Sequence, residues 1–503
     1  MSFVRTLVLL AVALGLGAWL YFVEEPAALK ALRADILLDI DPADVEKLRL
    51  AYPEGSEIVA VRDGENWKLT SPLQYPAEAS VVVNFLTTIK DTKIERRIKK
   101  EEAGALATYG LEGDTGKQAR LEVTTSGGKA EPAIVLGIST PVGYQAFARR
   151  EGSDEVLVIP LLLQSSARKT PFELRKKTMF EGADSTGIKH VTIDKPGEKI
   201  EIERKAETIW ALDSPMKDAA DTESVRSMLD SIATIDAVAF FDGDQVDRKA
   251  FGLDEGATHF RAVKEDGSAI EFTIGKEASD QPAGNYAERG NDQQVFKAPD
   301  WVAQKFVPAT GELREKRLLA CKLDEIRSMT WQAESGTFTI SREAAGKPWS
   351  ISPENPDEVL NQAVVDNATN GLALARADKI AGDALSDADL QRYGLDAPVV
   401  RLEIAGDKGQ CAALSAVPTP ASAAPIDGQR PGAITYYVKN AGRSAVMIAS
   451  EHEFSRLAMK RAEFVDAAPK GAAPVEAPKD AAAERPKDPA TADLPAGDAS
   501  EPD

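Results

Sequence analysis

The sequence predicts an α+β fold: an N-terminal transmembrane helix, three tandem and mainly antiparallel α+β repeats, and a disordered tail. Three observations predict it. A phrase made of a strand tryptophan, a Ser-Pro and a later aromatic-Gly-Leu occurs three times; an uncharged run opens the chain; Ala, Pro and charged residues fill its end. The tryptophans are Trp67, Trp210 and Trp349, followed by Pro72, Pro215 and Pro353, then by Gly110-Leu111, Gly252-Leu253 and Gly394-Leu395. A spacing this regular over 503 residues reads as one module used three times. The expected division is an anchor at residues 1–24, modules at 25–181, 182–318 and 319–466, and a tail at 467–503.

The first element is the run Thr6 to Val23, which carries no charge. As a helix it extends about 27 Å, close to the hydrocarbon thickness of a bilayer. Trp19, Tyr21 and Phe22 suit the interface end of a retained helix. The competing reading is a cleaved signal peptide, with Ala13-Leu14-Gly15 as its small-residue site. A retained, single-pass signal-anchor is the expectation. The basic head before the run has the shape of a secretory signal and places the rest outside the cytoplasm, in the periplasm.

Each module then opens with short alternating runs, such as Val45 to Tyr52 and Ile58 to Arg62, that read as strands. Trp67 with Leu69, Trp210 with Leu212 and Trp349 with Ile351 are two apart and share a strand face, which marks them as core. The proline that follows lacks an N–H and holds its predecessor extended, so the strand stops there. A helix comes next. Val82, Phe85, Leu86 and Ile89 make one apolar stripe, as do Val225, Met228, Leu229 and Ile232 behind the N-cap Asp221, while Asn361 to Gly371 is poorer in large residues.

The aromatic-Gly-Leu triplet reads as a helix stop, with glycine left-handed at C′ and leucine at C″. This puts Leu106, Arg248 and Leu390 at C3. Further strands follow. Each copy closes on a basic corner, Glu173-Leu174-Arg175, Glu312-Leu313-Arg314 and a looser Met459-Lys460-Arg461, read as joints between modules before ligands. Val417 to Gly432 reads as a loop inserted in the third copy. Cys321 and Cys411 can pair in an oxidising compartment, although two buried apolar thiols are the plainer reading.

The order of these features, with Leu136-Gly137 among the later strands and Lys177 after the closing Glu-Leu-Arg, resembles the domain of unknown function 4340 family over residues 1–466. The resemblance implies a bacterial membrane-anchored envelope protein, encoded beside ABC-type exporters of the gliding-motility-associated kind. Partners implied are the membrane and ABC-type permease or auxiliary subunits. No catalytic or cofactor-binding residues exist in the family to carry over.

The residues themselves point the same way. A net charge of −20 leaves no basic surplus for a phosphate backbone, so nucleic acid is excluded as an expected partner. His190, His259 and His452 are isolated, and no metal-ligand spacing occurs. Gly182 to Gly187 has the gap of a phosphate loop but Ile188 where lysine is needed; Ser166-Ala167-Arg168-Lys169 fits a Ser-x-x-Lys without its partner motifs. Asp242 and Asp244 read as decoration of a helix start. The expected function is therefore a non-catalytic accessory or scaffold of an exporter or envelope-assembly complex, without cofactor or metal. A cell-wall glycan or peptide binding module is the alternative, and an envelope hydrolase the third.

Overall fold

The fold is described from a computed structural model over residues 35–112, 118–333, 336–420 and 433–468. Contacts divide the chain into two compact units, Met1–Glu315 and Lys316–Asp503. The first carries a ten-stranded and a nine-stranded sheet, the second an eight-stranded and a two-stranded sheet, all with antiparallel pairing. This corrects the expected fold class: the chain is mostly antiparallel β with short helices. The longest described helix, Ala79–Asp91, has 13 residues. That is about 20 Å, short of the ~30 Å of a bilayer core. Among the described residues no helix is long and apolar enough to cross a membrane. The stretch 1–24 read as a transmembrane helix lies outside the described residues.

The strand order repeats. In the first sheet it is Tyr75–Ala77, Asn66–Ser71, Glu57–Asp63, Val45–Ala51, Ala119–Thr125, Ile134–Ser139, Gln145–Arg150, Val156–Pro160 and Arg96–Ile98. The second runs in the same sense from Asp218–Ala219 to Ala239–Phe241, and the third from Ser350–Ser352 to Lys379–Asp383. Even the irregularity recurs: the first strand of each sheet slips register against its partner at Val45/Lys47, Ile188/His190 and Ile326/Ser328. Such a bulge bends the strand at the same point in each copy.

Each large sheet buries one face throughout and the other only in part. On one face lies the main core, covered by α1 (Ala79–Asp91), α2 (Thr222–Asp230) or α3 (Gln362–Ala373). Val82, Phe85, Leu86 and Ile89 of α1 are buried there, as are Val225, Met228 and Leu229 of α2 and Val365, Thr369 and Leu372 of α3. Asp221 caps α2 and Asn361 caps α3 by accepting the Ser224 and Val364 amides. Trp67, Trp210 and Trp349 are buried in these cores, each under an arginine: Arg62 at 4.7 Å, Arg204 at 5.8 Å and Arg342 at 4.4 Å from the ring centroid. The Ser-Pro peptides after them, ending at Pro72, Pro215 and Pro353, are cis in all three copies.

The opposite face carries the aromatic-Gly-Leu turn. Gly110, Gly252 and Gly394 are left-handed, with φ of 69°, 67° and 71°. The amides of Leu111, Leu253 and Leu395 reach back to the carbonyls of Leu106, Arg248 and Leu390, which closes a Schellman turn in each copy. Leu111, Leu253 and Leu395 then pack into three small clusters, with Val156, Val295 and Val446 respectively. Alternation along one strand feeds both faces: Leu157 and Ile159 enter the main core, Val156 the small cluster. At Gly137 the turn comes so close that a Cβ would stand 2.1 Å from the Tyr109 carbonyl oxygen, which only glycine avoids.

The third copy departs in two places. Val417 and Pro418, expected in an inserted loop, belong to the strand Gly409–Pro418; residues 421–432 lie outside the described set, as does the tail from residue 469. Cys321 and Cys411, read as thiols, form a disulfide with a Cα–Cα separation of 5.3 Å. The chain dictates this, because the Ala320 amide bonds the Cys411 carbonyl and lays the two segments side by side. The bridge closes a separation of 90 residues, so its loss should cost roughly 2–4 kcal/mol. In a Cys321→Ser, Cys411→Ser variant, hydrogen exchange should speed up across 318–464 and stay unchanged across 35–315; uniform change would contradict the assignment.

Candidate functional site

The residues that recur do not converge on one site: Trp67 and Leu111 lie on opposite faces of their sheet, and so do their counterparts. The chemistry gathers instead around Arg175, at the seam between the two sheets of the first unit. Thr170 starts this segment with a capping box, its hydroxyl accepting the Glu173 amide while Glu173 accepts the Thr170 amide. The helix Pro171–Leu174 buries Leu174, and the Leu174 carbonyl accepts the Glu78 amide at 2.8 Å. Arg175 then bridges Ala77, which fixes where its side chain leaves the first sheet.

The Arg175 side chain is 3% exposed. Its guanidinium lies 4.1 Å from the Tyr75 ring centroid and 3.8 Å from that of Phe240, between an aromatic of each module. Its two terminal nitrogens donate to Asp242, at 2.5 Å and 3.3 Å, and one also donates to Gln294 at 3.1 Å. Gln294 in turn donates to the carbonyls of Phe241 and Val295 and to Asp242. A planar fork that stacks on rings and grips a carboxylate is a task for arginine rather than lysine. Phe172, itself 5.9 Å from Phe240, carries Lys177 over its ring at 5.0 Å.

Beside it, Arg289 donates to the Met179 carbonyl at 2.8 Å and to Asp292 at 2.5 Å. This hydrogen bond holds the Asp292 carboxyl below its ordinary range, against the opposing effect of burial. Burial raises the Tyr75 phenol, and the charges of Arg289 and Arg175 oppose the rise. Two openings flank the seam. One of about 570 Å³ is lined by Trp67, Gln74, Tyr75, Lys176 and Arg289, the other of about 470 Å³ by Leu73, Phe172, Phe240, Asp242 and Gln245.

Asp242 and Asp244, read as decoration of a helix start, do open a short helix, Gly243–Gln245, with Asp242 at its N-cap; the pairing of Asp242 with Arg175 was not legible. Asp242 was one acid among many, and its partner lies 67 positions away, so nothing local marked it. The basic corner was the usable signal, and it needs one correction. The structural counterpart of Arg175 and Arg314 is Val465, not Arg461, because the carbonyls of Leu174, Leu313 and Phe464 make the same bond to Glu78, Asp221 and Asn361. Arg314 is buried and pairs with Asp218 at 2.7 Å. Arg461 pairs with Glu358 instead.

The remaining sequence motifs stay apart. His190 and His259 bond threonines and His452 meets Arg456. Among the described residues no group of three or more His, Cys, Asp or Glu is placed to hold a metal. Lys169 of the Ser-x-x-Lys pattern lies 3.7 Å from Glu173. Gly182 and Gly187 are left-handed turn glycines. Tyr52 spends its hydroxyl on the Ala167 and Lys169 carbonyls.

Fold and seam define a tandem-repeat protein of antiparallel sheet modules whose repeated side chains serve packing. Residues 67–209 and 210–398 match the family described as Domain of unknown function (DUF4340), and the chain belongs to it. Both matched segments begin at a repeat tryptophan, Trp67 and Trp210, and the second runs on past the third, Trp349. No curated protein and no solved structure matches the chain.

Removing the guanidinium leaves two rings and a carboxylate without their shared partner. Arg175→Ala should cost about 2–4 kcal/mol in urea unfolding of the first unit. Arg175→Lys should recover less than half, since it restores charge without fork or plane; full recovery by lysine would show that only charge matters.

Proposed function

We propose that this protein is a non-catalytic, extracytoplasmic accessory or scaffold of an ABC-type exporter of the gliding-motility-associated kind, or of an envelope-assembly complex. One observation carries the reading: the tryptophans and the Gly-Leu leucines common to the three modules are buried in packing, and a buried arginine joins two of the modules in one unit. Such a chain offers a stiff surface rather than a reaction centre. The disulfide supports an oxidising compartment, outside the cytoplasm. The uncharged run Thr6 to Val23 supports a location at the bacterial cytoplasmic membrane. The exporter comes from the setting that the family resemblance implies.

A second reading, a cell-wall glycan or peptide binding module, draws on one cleft. An opening of about 780 Å³ in the first module is lined by Tyr52, Glu54, Glu57, Ser71, Arg168 and Pro171, so it carries both signs of charge. Its counterpart in the second module is crossed by Lys195, which pairs with Glu198 at 2.8 Å and donates to the Pro308 carbonyl.

Photo-crosslinking in intact cells, followed by purification in mild detergent, tests the first reading. Permease or auxiliary subunits should be recovered with the protein; a monomer free of membrane partners sinks the accessory role. Incubation with isolated sacculi separates the two readings. Retention that is lost with Arg168→Glu favours the cleft, whereas the scaffold reading expects the protein in the wash.

A further inference from the structure

Four large apolar side chains stand exposed at one end of the first sheet: Ile138 (36%), Val142 (81%), Tyr144 (89%) and Leu162 (64%). Ile138 ends the strand Ile134–Ser139, and the loop through Pro141, Val142 and Tyr144 leads into Gln145–Arg150. This hairpin is held shut, because the Thr140 amide bonds the Gln145 carbonyl and the Thr140 hydroxyl bonds the Val142 carbonyl. The Tyr144 carbonyl accepts the Leu161 amide at 2.9 Å, which brings Leu162 and its helix, Leu161–Ser166, beside the tip.

The second copy does not keep this tip. In the second module the corresponding loop is Ser279-Asp280-Gln281-Pro282-Ala283, and Asp280 pairs at 3.0 Å with the buried Lys297. The counterpart of Leu162 there is Trp301, which packs against the core. The apolar tip thus distinguishes the first module from the second, and packing does not call for it; in the third copy residues 421–432 of the corresponding loop lie outside the described residues, and Ile434 beside them is 52% exposed.

We infer that this tip, Val142 and Tyr144 with Leu162, rests in the interfacial layer of a lipid bilayer. The inference relies on the membrane location given under the proposed function. Where the chain enters the module is the argument for lipid. The Asp35 carbonyl accepts the Ile94 amide at 2.6 Å, and the next residue, Glu95, is hydrogen-bonded to Gln145, the neighbour of Tyr144. The chain therefore leaves toward its N-terminus close to the tip. Residues 24–34 separate this point from the uncharged run ending at Val23, a tether of at most about 40 Å when extended. The described chain thus begins beside the apolar tip, and a segment with the composition of a bilayer core precedes it in sequence by no more than that tether. Tyrosine, with an apolar body and a polar end, flanked by valine and leucine, suits headgroup depth.

The two native cysteines are both in the disulfide, so one added cysteine takes one label. Full-length Val142→Cys and Leu162→Cys, carrying an environment-sensitive dye, are compared with Ile209→Cys, an exposed control at 56%. Phosphatidylethanolamine and phosphatidylglycerol vesicles, with and without shallow spin-labelled lipid, serve as the probe. Flotation reports membrane binding of the whole chain, and quenching reports the tip. The expected result is flotation with severalfold stronger quenching at 142 and 162 than at 209. Flotation with equal quenching at all three positions overturns the tip and leaves the membrane location standing. Failure to float overturns both. A dye shift without vesicles also overturns the inference: if it grows with protein concentration a second copy covers the patch, and if not, the chain's own N-terminal segment does.

Discussion

One backbone hydrogen bond organises every module. The carbonyl that ends the closing helix, at Leu174, Leu313 or Phe464, accepts the amide of the residue that starts the long helix, at Glu78, Asp221 or Asn361, each at 2.8 Å. Roughly a hundred residues of loop are closed by that contact, at an entropic cost that grows only slowly with length. Because it ties the last element to the helix start, strand order, helix seat and Ser-Pro turn are fixed together. The next residue then has one place to go. It lies beside Ala77, Ala220 or Leu360, at the edge of its own sheet.

The residue at that exit decides what a module can join. In the first copy it is Arg175, and its side chain reaches out to Phe240, Asp242 and Gln294 of the second sheet. In the third it is Val465, which continues as the strand Val465–Ala467 and pairs with Glu358–Leu360. The same backbone position therefore either holds a neighbour or starts a small two-stranded sheet apart from the main one.

Much of this was legible in the sequence, and the limits are physical. The period, the strand faces of Trp67 and Leu69, the stripe of α1 and the left-handed glycines depend on spacing, which one chain displays directly. The arginines over the tryptophans were missed. Arg62, Arg204 and Arg342 precede their rings by unequal distances because the intervening turns differ, so no fixed pattern marks them. Asp242 and the disulfide were obscured for another reason, since pairs separated by 67 and 90 residues follow from topology and leave no local signature. The weight given to helices was also excessive. Their apolar stripes are conspicuous, yet most of the core comes from strands, and in a few of these, such as Val156–Pro160 and Ala445–Ser450, burial on both faces breaks the alternation.

Burial also limits where function can reside. The main core takes one face of each large sheet and the Gly-Leu cluster part of the other, which leaves exposed strand positions, edges, loop ends and the seam to meet other molecules. Net charge adds a second constraint. At −20 the chain is repelled by anionic surfaces, and at physiological salt that repulsion is felt over about 8 Å. A protein of this charge approaches such a surface best through a small uncharged projection that keeps its carboxylates back from it. Among the described loops the hairpin of Val142 and Tyr144 has that form, and it sits where the chain comes in from its uncharged run. The repeated parts of the sequence build the body; the unrepeated tip is the part shaped to meet something else.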